Sequence, residues 1–278
     1  MKVLSKNILK NLYPKKDPWS YKGTFGKVLV IGGNNKFTGA PALAAMAALR
    51  VGADLVTVAA PRRAADIIAS FSPNMITLPL NGVCITKFNL KKILEEAKNA
   101  DSVIIGPGLG RNKQTLDFVL SFLEKVDIPC VIDADALHAF RKNIDLLKER
   151  YVLTPHANEF QMLFGKTPDN SVIKRATLTR IFAKKYKPTI LLKGHVDVVS
   201  NGNDNAVNKT GNPYMTIGGT GDVLAGICGG LLAIGIKPFK AASAAAYISG
   251  AAGNKAAKKV GIGLTAVDII NNIYKVLK

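Results

Sequence analysis

The stretch Gly218-Gly219-Thr220-Gly221-Asp222 sets one carboxylate in a glycine-rich turn directly ahead of an apolar run, Val223-Leu224-Ala225-Gly226. Backbone N–H groups at a helix N-terminus point outward at the positive end of the macrodipole, so a phosphate can settle there without a lysine. Glycines let the backbone approach that closely. An aspartate at the same end repels a phosphate, which suits it to a different role, that of taking a proton from a hydroxyl beside the phosphate. Phosphoryl transfer to an alcohol is the chemistry this arrangement suggests. An aspartate in a first turn also serves as an ordinary cap, and a glycine-rich turn as a plain connector, so the motif alone leaves both readings open.

Such a turn needs a rigid frame, and the chain supplies one. Lys27-Val28-Leu29-Val30-Ile31 is a β-branched run closed by Gly32-Gly33, the pattern of a buried parallel strand running into a turn. Pro41 fits the first turn of a following helix that runs through Leu49 and stops at Gly52. Strands follow at Leu55 to Ala59, at Ser102 to Ile105 before Gly106, at Val131 to Asp133 after a helix ending near Val126, and at Ile190 to Leu192. This alternation predicts an α/β fold with a mainly parallel sheet covered on both faces. Asp197 to Ser200 before Asn201-Gly202 predicts an antiparallel hairpin. Helices then follow, one carrying Val223, Ile227, Leu231 and Ile234, an Ala-rich one from Phe239 through Ala252, and a last one capped at Thr265. Ligands of open α/β sheets bind at the carboxyl ends of the strands, which makes the turns at Gly32-Gly33, Gly106 to Gly110 and Lys193-Gly194 expected walls of one site.

At 278 residues and 48% hydrophobic, the chain can bury a large core, and no linker-like segment or repeat divides it. One domain over residues 1–278 is expected, with 1–22 as an N-terminal extension. That extension lacks the apolar core of a signal peptide, and the later apolar runs are broken too soon to span a bilayer, so a soluble cytoplasmic protein without membrane partners is expected. Cys84, Cys130 and Cys228 are too few and too far apart for a disulfide framework or a zinc site. The formal charge of +19 attracts polyanions, but the lysines are scattered rather than gathered into a nucleic-acid footprint. No GK[ST] follows Gly33 to Gly39, so a P-loop is absent. Gly106-Pro107-Gly108-Leu109-Gly110 and Gly261 to Ala266 each fail the context of a dinucleotide fingerprint. GxSxG, HExxH and paired metal ligands are likewise missing.

The Gly-Thr-Gly-Asp turn, preceded by Asn212-Pro213 and by Leu191-Leu192-Lys193-Gly194, resembles the ribokinase-like superfamily, which implies a three-layer αβα sandwich and a base at Asp222. More closely, the chain is similar to the ADP- or ATP-dependent NAD(P)H-hydrate dehydratases. The similarity runs in order through Lys22 to Gly33, Thr38-Gly39-Ala40-Pro41, Gly106 to Gly110, Asp133-Ala134-Asp135-Ala136-Leu137, Leu153-Thr154-Pro155-His156, Thr210-Gly211-Asn212-Pro213 and the Gly218 turn. It implies repair of the hydrated nicotinamide ring of NADH or NADPH at the expense of ADP or ATP, with Mg²⁺ screening the phosphates. By residue, it implies Asp222 as base, Ala40, Gly108 and His156 against the dinucleotide, and Lys193, Gly194, His195, Val196, Asp197 and Gly221 around the adenine nucleotide. Gly218, Gly219, Thr220 and Gly221 would form the anion hole, and Glu159 would organise the metal indirectly, with no direct metal ligand. Simpler roles exist for three of these: Ala40 starting a helix, Lys193 as a solvated strand end, His156 capping the loop after Pro155.

Tyr21 and Tyr214 depart from the family pattern, where histidine and glycine are common; Tyr214 is expected to reshape the nucleotide mouth. Many relatives are homotetramers, so a homo-oligomer is expected. About two dozen residues precede the first parallel strand, too few for a fused epimerase domain, so any epimerase is expected on a separate chain. Two rival readings stand beside the dehydratase: a ribokinase-like small-molecule kinase, and a basic module that binds nucleotides or RNA without catalysis. ADP against ATP stays open.

Overall fold

Alternation along the central strands decides the architecture. In Lys27–Ile31, Val28 and Val30 join one buried cluster while Leu29 and Ile31 join another, and the same division runs through Val103, Ile104 and Ile105 and through Cys130, Val131 and Ile132. A strand with both faces buried needs a helical layer on each side. The computed structural model, which describes residues 1–278, has that arrangement.

Ten strands form one sheet: β1 (Lys2–Val3), β2 (Lys27–Ile31), β3 (Leu55–Pro61), β4 (Ile76–Leu80), β5 (Ser102–Ile105), β6 (Cys130–Ile132), β7 (Tyr151–Leu153), β8 (Thr189–Leu192), β9 (Asp197–Ser200) and β10 (Asn205–Asn208). Their order is β1-β10-β9-β8-β7-β6-β5-β2-β3-β4. Strands β2 to β8 are mutually parallel, and β9 and β10 form the hairpin expected around Asn201-Gly202. Residues at the N-terminus join the fold directly: β1 pairs with β10, and Leu12 is buried.

The helices are α1 (Gly39–Arg50), α2 (Arg62–Phe71), α3 (Leu90–Ala97), α4 (Lys113–Lys125), α5 (Ala157–Phe164), α6 (Val172–Tyr186), α7 (Thr220–Ala233), α8 (Pro238–Val260), α9 (Ala266–Ile270) and α10 (Ile273–Leu277). Buried residues of α1, α2, α7, α8, α9 and α10 pack on one face of the sheet, and those of α3 to α6 on the other. No helix is long and apolar enough to cross a membrane. From β2 the chain steps outward to β3 and β4, then returns to the other side of β2 as β5. That reversal makes the carboxyl ends of β2 and β5 the switch point of the sheet, the side on which ligands of such sheets usually bind.

Candidate active site

Three adjacent parallel strands each release a polar residue at the first position past their carboxyl end: Asp133 after β6, Thr154 after β7, Lys193 after β8. Backbone pairing carries one step past each strand, through Asp133 N–H to Ile105 O, Thr154 N–H to Ile132 O and Lys193 N–H to Pro155 O. The three side chains therefore converge. The Thr154 hydroxyl donates to Asp133 Oδ1 at 2.6 Å, and Lys193 Nζ donates to the same oxygen at 3.0 Å. Asp133 is 1% exposed and Thr154 fully buried. Burial alone would pull the Lys193 ammonium down, but Asp133 and Glu159 outweigh it and hold its pKa above the usual lysine value.

Glu159 and His156 enter together through the start of α5. The His156 Nδ1 accepts the N–H groups of Asn158 and Glu159, and Glu159 Oε2 accepts the His156 N–H at 2.8 Å, a reciprocal capping box. His156 thus does cap a helix, while its Nε2 stays at the half-exposed rim, 3.5 Å from Glu159 Oε1. Glu159 Oε2 lies 4.0 Å from Lys193 Nζ. Burial raises the Glu159 pKa above the ordinary carboxylate value, and the Lys193 charge only partly opposes it.

A cleft of about 800 Å³ opens beside this cluster. Its lining comes from His156, Lys193, Gly194, His195 and Asp197, from Gly218, Thr220 and Gly221 at the start of α7, and from Thr210 to Pro213, Met215, Ala246, Ser249 and Gly250. The anion turn expected from the sequence is in the wall: α7 begins at Thr220, its N-cap Gly219 adopts φ +92°, and a side chain on Gly218 would meet nothing. Asp222 follows in the same turn. Burial, reinforced by the nearby Asp133 charge and only partly offset by Lys193, pushes its pKa up to about 7. A carboxylate poised there is suited to general base catalysis near neutral pH.

Not every expected site residue turns its side chain into the cleft. Val196 turns into the core beneath α6 rather than into the cleft, and Gly219 faces Leu43 and Ala266. Both Asp197 oxygens are engaged, Oδ1 by the Gly194 N–H and Oδ2 by Asn208 Nδ2, each at 3.0 Å, so this carboxylate shapes the loop of Lys193 and Gly194. Gly32, Gly33 and Gly106 to Gly110 converge as expected, with Gly33 N–H on Pro107 O, but they back the carboxylate cluster instead of lining the cleft. Gly106, at φ +127°, has no room for a side chain because Asp133 O fills the place of its Cβ. Gly110 N–H donates to Asp135, which Arg111 also pairs. Ala40, in the first turn of α1, and Gly108, in the turn after β5, are neighbours, with Phe37 beside Gly108. Tyr214 is exposed and not among the residues that line the cleft, on a turn whose first residue, Asn212, accepts its N–H. Asp133 and Thr154 are the residues that sequence reasoning left without a role.

The doubly wound sheet, with its cleft at the strand ends and a glycine turn opening a late helix, defines a ribokinase-like α/β protein. A solved ribokinase-like superfamily protein from Enterococcus faecalis superposes with a TM-score of 0.87 at 27% identity, covering 99% of this chain and 95% of that one. The chain belongs to the NAD(P)H-hydrate dehydratase family, whose model matches residues 28–275. It is 40% identical over 281 residues to the ADP-dependent (S)-NAD(P)H-hydrate dehydratase of Nitrosopumilus maritimus, covering 100% of this chain and 97% of that protein. It is 41% identical over 269 residues to a bifunctional NAD(P)H-hydrate repair enzyme of Methanothermobacter thermautotrophicus, covering 95% of this chain. The chain spans 52% of that longer relative. The ADP/ATP-dependent NAD(P)H-hydrate dehydratase of Bacillus subtilis, co-crystallised with ATP and Mg²⁺, has a TM-score of 0.79 at 25% identity, covering 100% and 99% of the two chains.

Proposed function

We propose that this chain dehydrates hydrated NADH and NADPH, consuming ADP and restoring the dinucleotide. The observation that carries the reading is Asp222, raised to about 7, in the first turn of α7 with the Lys193 ammonium and the open Gly218 backbone beside it. Asp222 takes the proton of the ring hydroxyl. That oxygen forms a bond to the terminal phosphorus of ADP, and AMP leaves. The phosphate ester then breaks its C–O bond as the neighbouring carbon gives its proton to water, which restores the ring double bond and releases inorganic phosphate. N–H groups of Gly218, Thr220 and Gly221, with the Lys193 ammonium, stabilise charge on the transferred group. His156 Nε2, at the rim, orients the dinucleotide over Asp222, and the small Ala40 and Gly108 pack against it. Gly194 and His195 flank the nucleotide, and Asp197 holds their loop.

No three His, Cys, Asp or Glu side chains gather to hold a metal ion. Magnesium commonly keeps several waters and binds through substrate phosphates with one or two carboxylates. The buried Glu159 carboxylate beside the cleft fits that pattern through an intervening water. When bound, the ion neutralises phosphate charge. Incubation of the protein with hydrated NADH, ADP and Mg²⁺ should restore the absorbance of NADH and release AMP and phosphate in equal amounts. A stable phosphorylated product would move the reading to a small-molecule kinase, and no reaction with either ADP or ATP would remove it. A homotetramer belongs to the same proposal, supported by the exposed Trp19 and Tyr21; light scattering should give four times the 29.6 kDa chain mass.

A further inference from the structure

Asp133 is fixed from every side. Thr154 and Lys193 occupy Oδ1, the Asp133 N–H pairs with Ile105 O, and its carbonyl fills the space a side chain on Gly106 would take. The next residue, Ala134, adopts φ +47°, a conformation that costs a non-glycine residue about 1 kcal/mol or more and that persists only where its surroundings impose it. This fixed carboxylate points at the phosphate turn: a Cβ on Gly221 would stand 3.4 Å from Lys193 Nζ and 4.0 Å from Asp133 Oδ2. An ammonium has three donors. Asp133 takes one and Glu159, at 4.0 Å, faces a second, leaving one for the cleft.

We propose that Asp133 is a positioning residue for phosphoryl transfer: it tethers Lys193 at the first turn of α7 and so keeps that ammonium from pairing with Asp222. The inference rests on the function proposed above. Untethered, the ammonium would be free to shift between the two remaining carboxylates that act on it, Glu159 at 4.0 Å and Asp222 beside the turn, and an ion pair with Asp222 makes that carboxylate a weaker base. It would also withdraw the cation from the transferring phosphoryl group. Thr154 acts as the strap, since its hydroxyl prevents the Asp133 carboxylate from turning with the lysine. The charged groups facing Asp222 are Asp133, Lys193 and Asp135. Losing Asp133 removes one repelling charge and frees one attracting charge, so both changes move Asp222 the same way.

The test compares wild type, Asp133→Asn, Thr154→Val and Asp222→Asn. In wild type, kcat/KM for hydrated NADH should rise with pH through about 7. In Asp133→Asn that rise should move down by about one pH unit or more, and kcat should fall about a hundredfold while KM for hydrated NADH holds. Thr154→Val should move both in the same direction by less. Carboxyl ¹³C shifts of aspartate-labelled protein, with the Asp222 signal assigned from Asp222→Asn, should show the same fall in the Asp222 pKa without any turnover. That reading separates the two proposals: wild type inactive on hydrated NADH would sink the proposed function, while the carbon titration would still decide the tether. A kcat loss with the rise and the Asp222 titration unmoved would overturn the tether and leave Asp133 a structural residue. If Asp133→Asn does not fold, Thr154→Val decides by the same titration.

Discussion

The two halves of α7 use the same residue for opposite purposes. At its opening, a side chain at Gly218 would meet open space, and one at Gly221 only the polar tips of Lys193 and Asp133. One turn and more further on, a side chain at Gly226 would run into the Ala44 carbonyl of α1, and one at Gly230 would press on Val51 and on Ala48 O. Ser102 reaches across from β5 to donate to the Gly229 carbonyl at 2.8 Å, and every residue from Val223 to Ala233 is buried. Glycine at the opening keeps a surface bare for a ligand. In the body it lets two helix backbones touch, α7 against the alanines of α1. The comparison teaches that the turn is presented by a helix held rigid behind it, so that chemistry and stability are separable along one element.

That separation is tested most sharply by its two strongest variants. Asp222→Asn keeps shape and removes the base, and turnover of hydrated NADH should fall about a thousandfold with the nucleotide still bound in isothermal titration. Gly226→Ala should do the reverse. Forcing a methyl against the Ala44 carbonyl is overpacking, worth about 1–3 kcal/mol, so denaturant midpoints should drop while the pH dependence of whatever activity remains is unchanged. A Gly226→Ala protein as stable as wild type would mean that α7 is not clamped to α1, and the division between the halves would fail.

Asp222 also links the opening turn to stability, with a sign that can be worked out. Its folded pKa of about 7 lies above the ordinary value of 3.8, so the folded state holds the proton more tightly than the unfolded chain. This contribution is fully present below about pH 4 and is lost as pH rises through 7. Activity runs the other way, since the base works only when deprotonated. Asp222→Asn should therefore be more stable than wild type at pH 8 by up to about 4 kcal/mol, with the gain vanishing near pH 4. Chemical denaturation at the two pH values measures it, and an equal difference at both would show that Asp222 is not strained by its site.

Much of the frame was legible because burial on both faces leaves β-branched runs, and each parallel strand with such a run was found. Ile76–Leu80 escaped because Pro79 breaks a strand pattern; as the last strand of the sheet, it has no outer neighbour to need the missing N–H. Tyr151–Leu153 is only three residues long. The Ala-rich helix runs past Ala252 to Val260, its polar end giving no apolar signal, and the last helix breaks at Asn271-Asn272. In the site, Asp222, Gly221, Lys193 and His156 carried local motifs. Asp133 and Thr154 lie in blocks that match the family but carried no role of their own, since a single polar residue after a strand looks like any loop residue. What marks them is that β6, β7 and β8 end side by side, which is a property of strand order rather than of local sequence.

The smallest expected effect is the most discriminating for the opening turn. Gly218→Ala adds a methyl into open space, at a residue outside the left-handed region, so it brings neither a clash nor backbone strain. Stability should stay within about 0.5 kcal/mol of wild type, as at surface positions generally. The same methyl would stand where an incoming phosphate must approach the backbone N–H groups, so it should raise KM for ADP while leaving the Asp222 limb of the pH profile in place. Steady-state kinetics at fixed hydrated NADH with varied ADP reads this directly. An unchanged KM would place the phosphate further along the turn, against Thr220 and Gly221, where Lys193 already stands within reach of the same backbone.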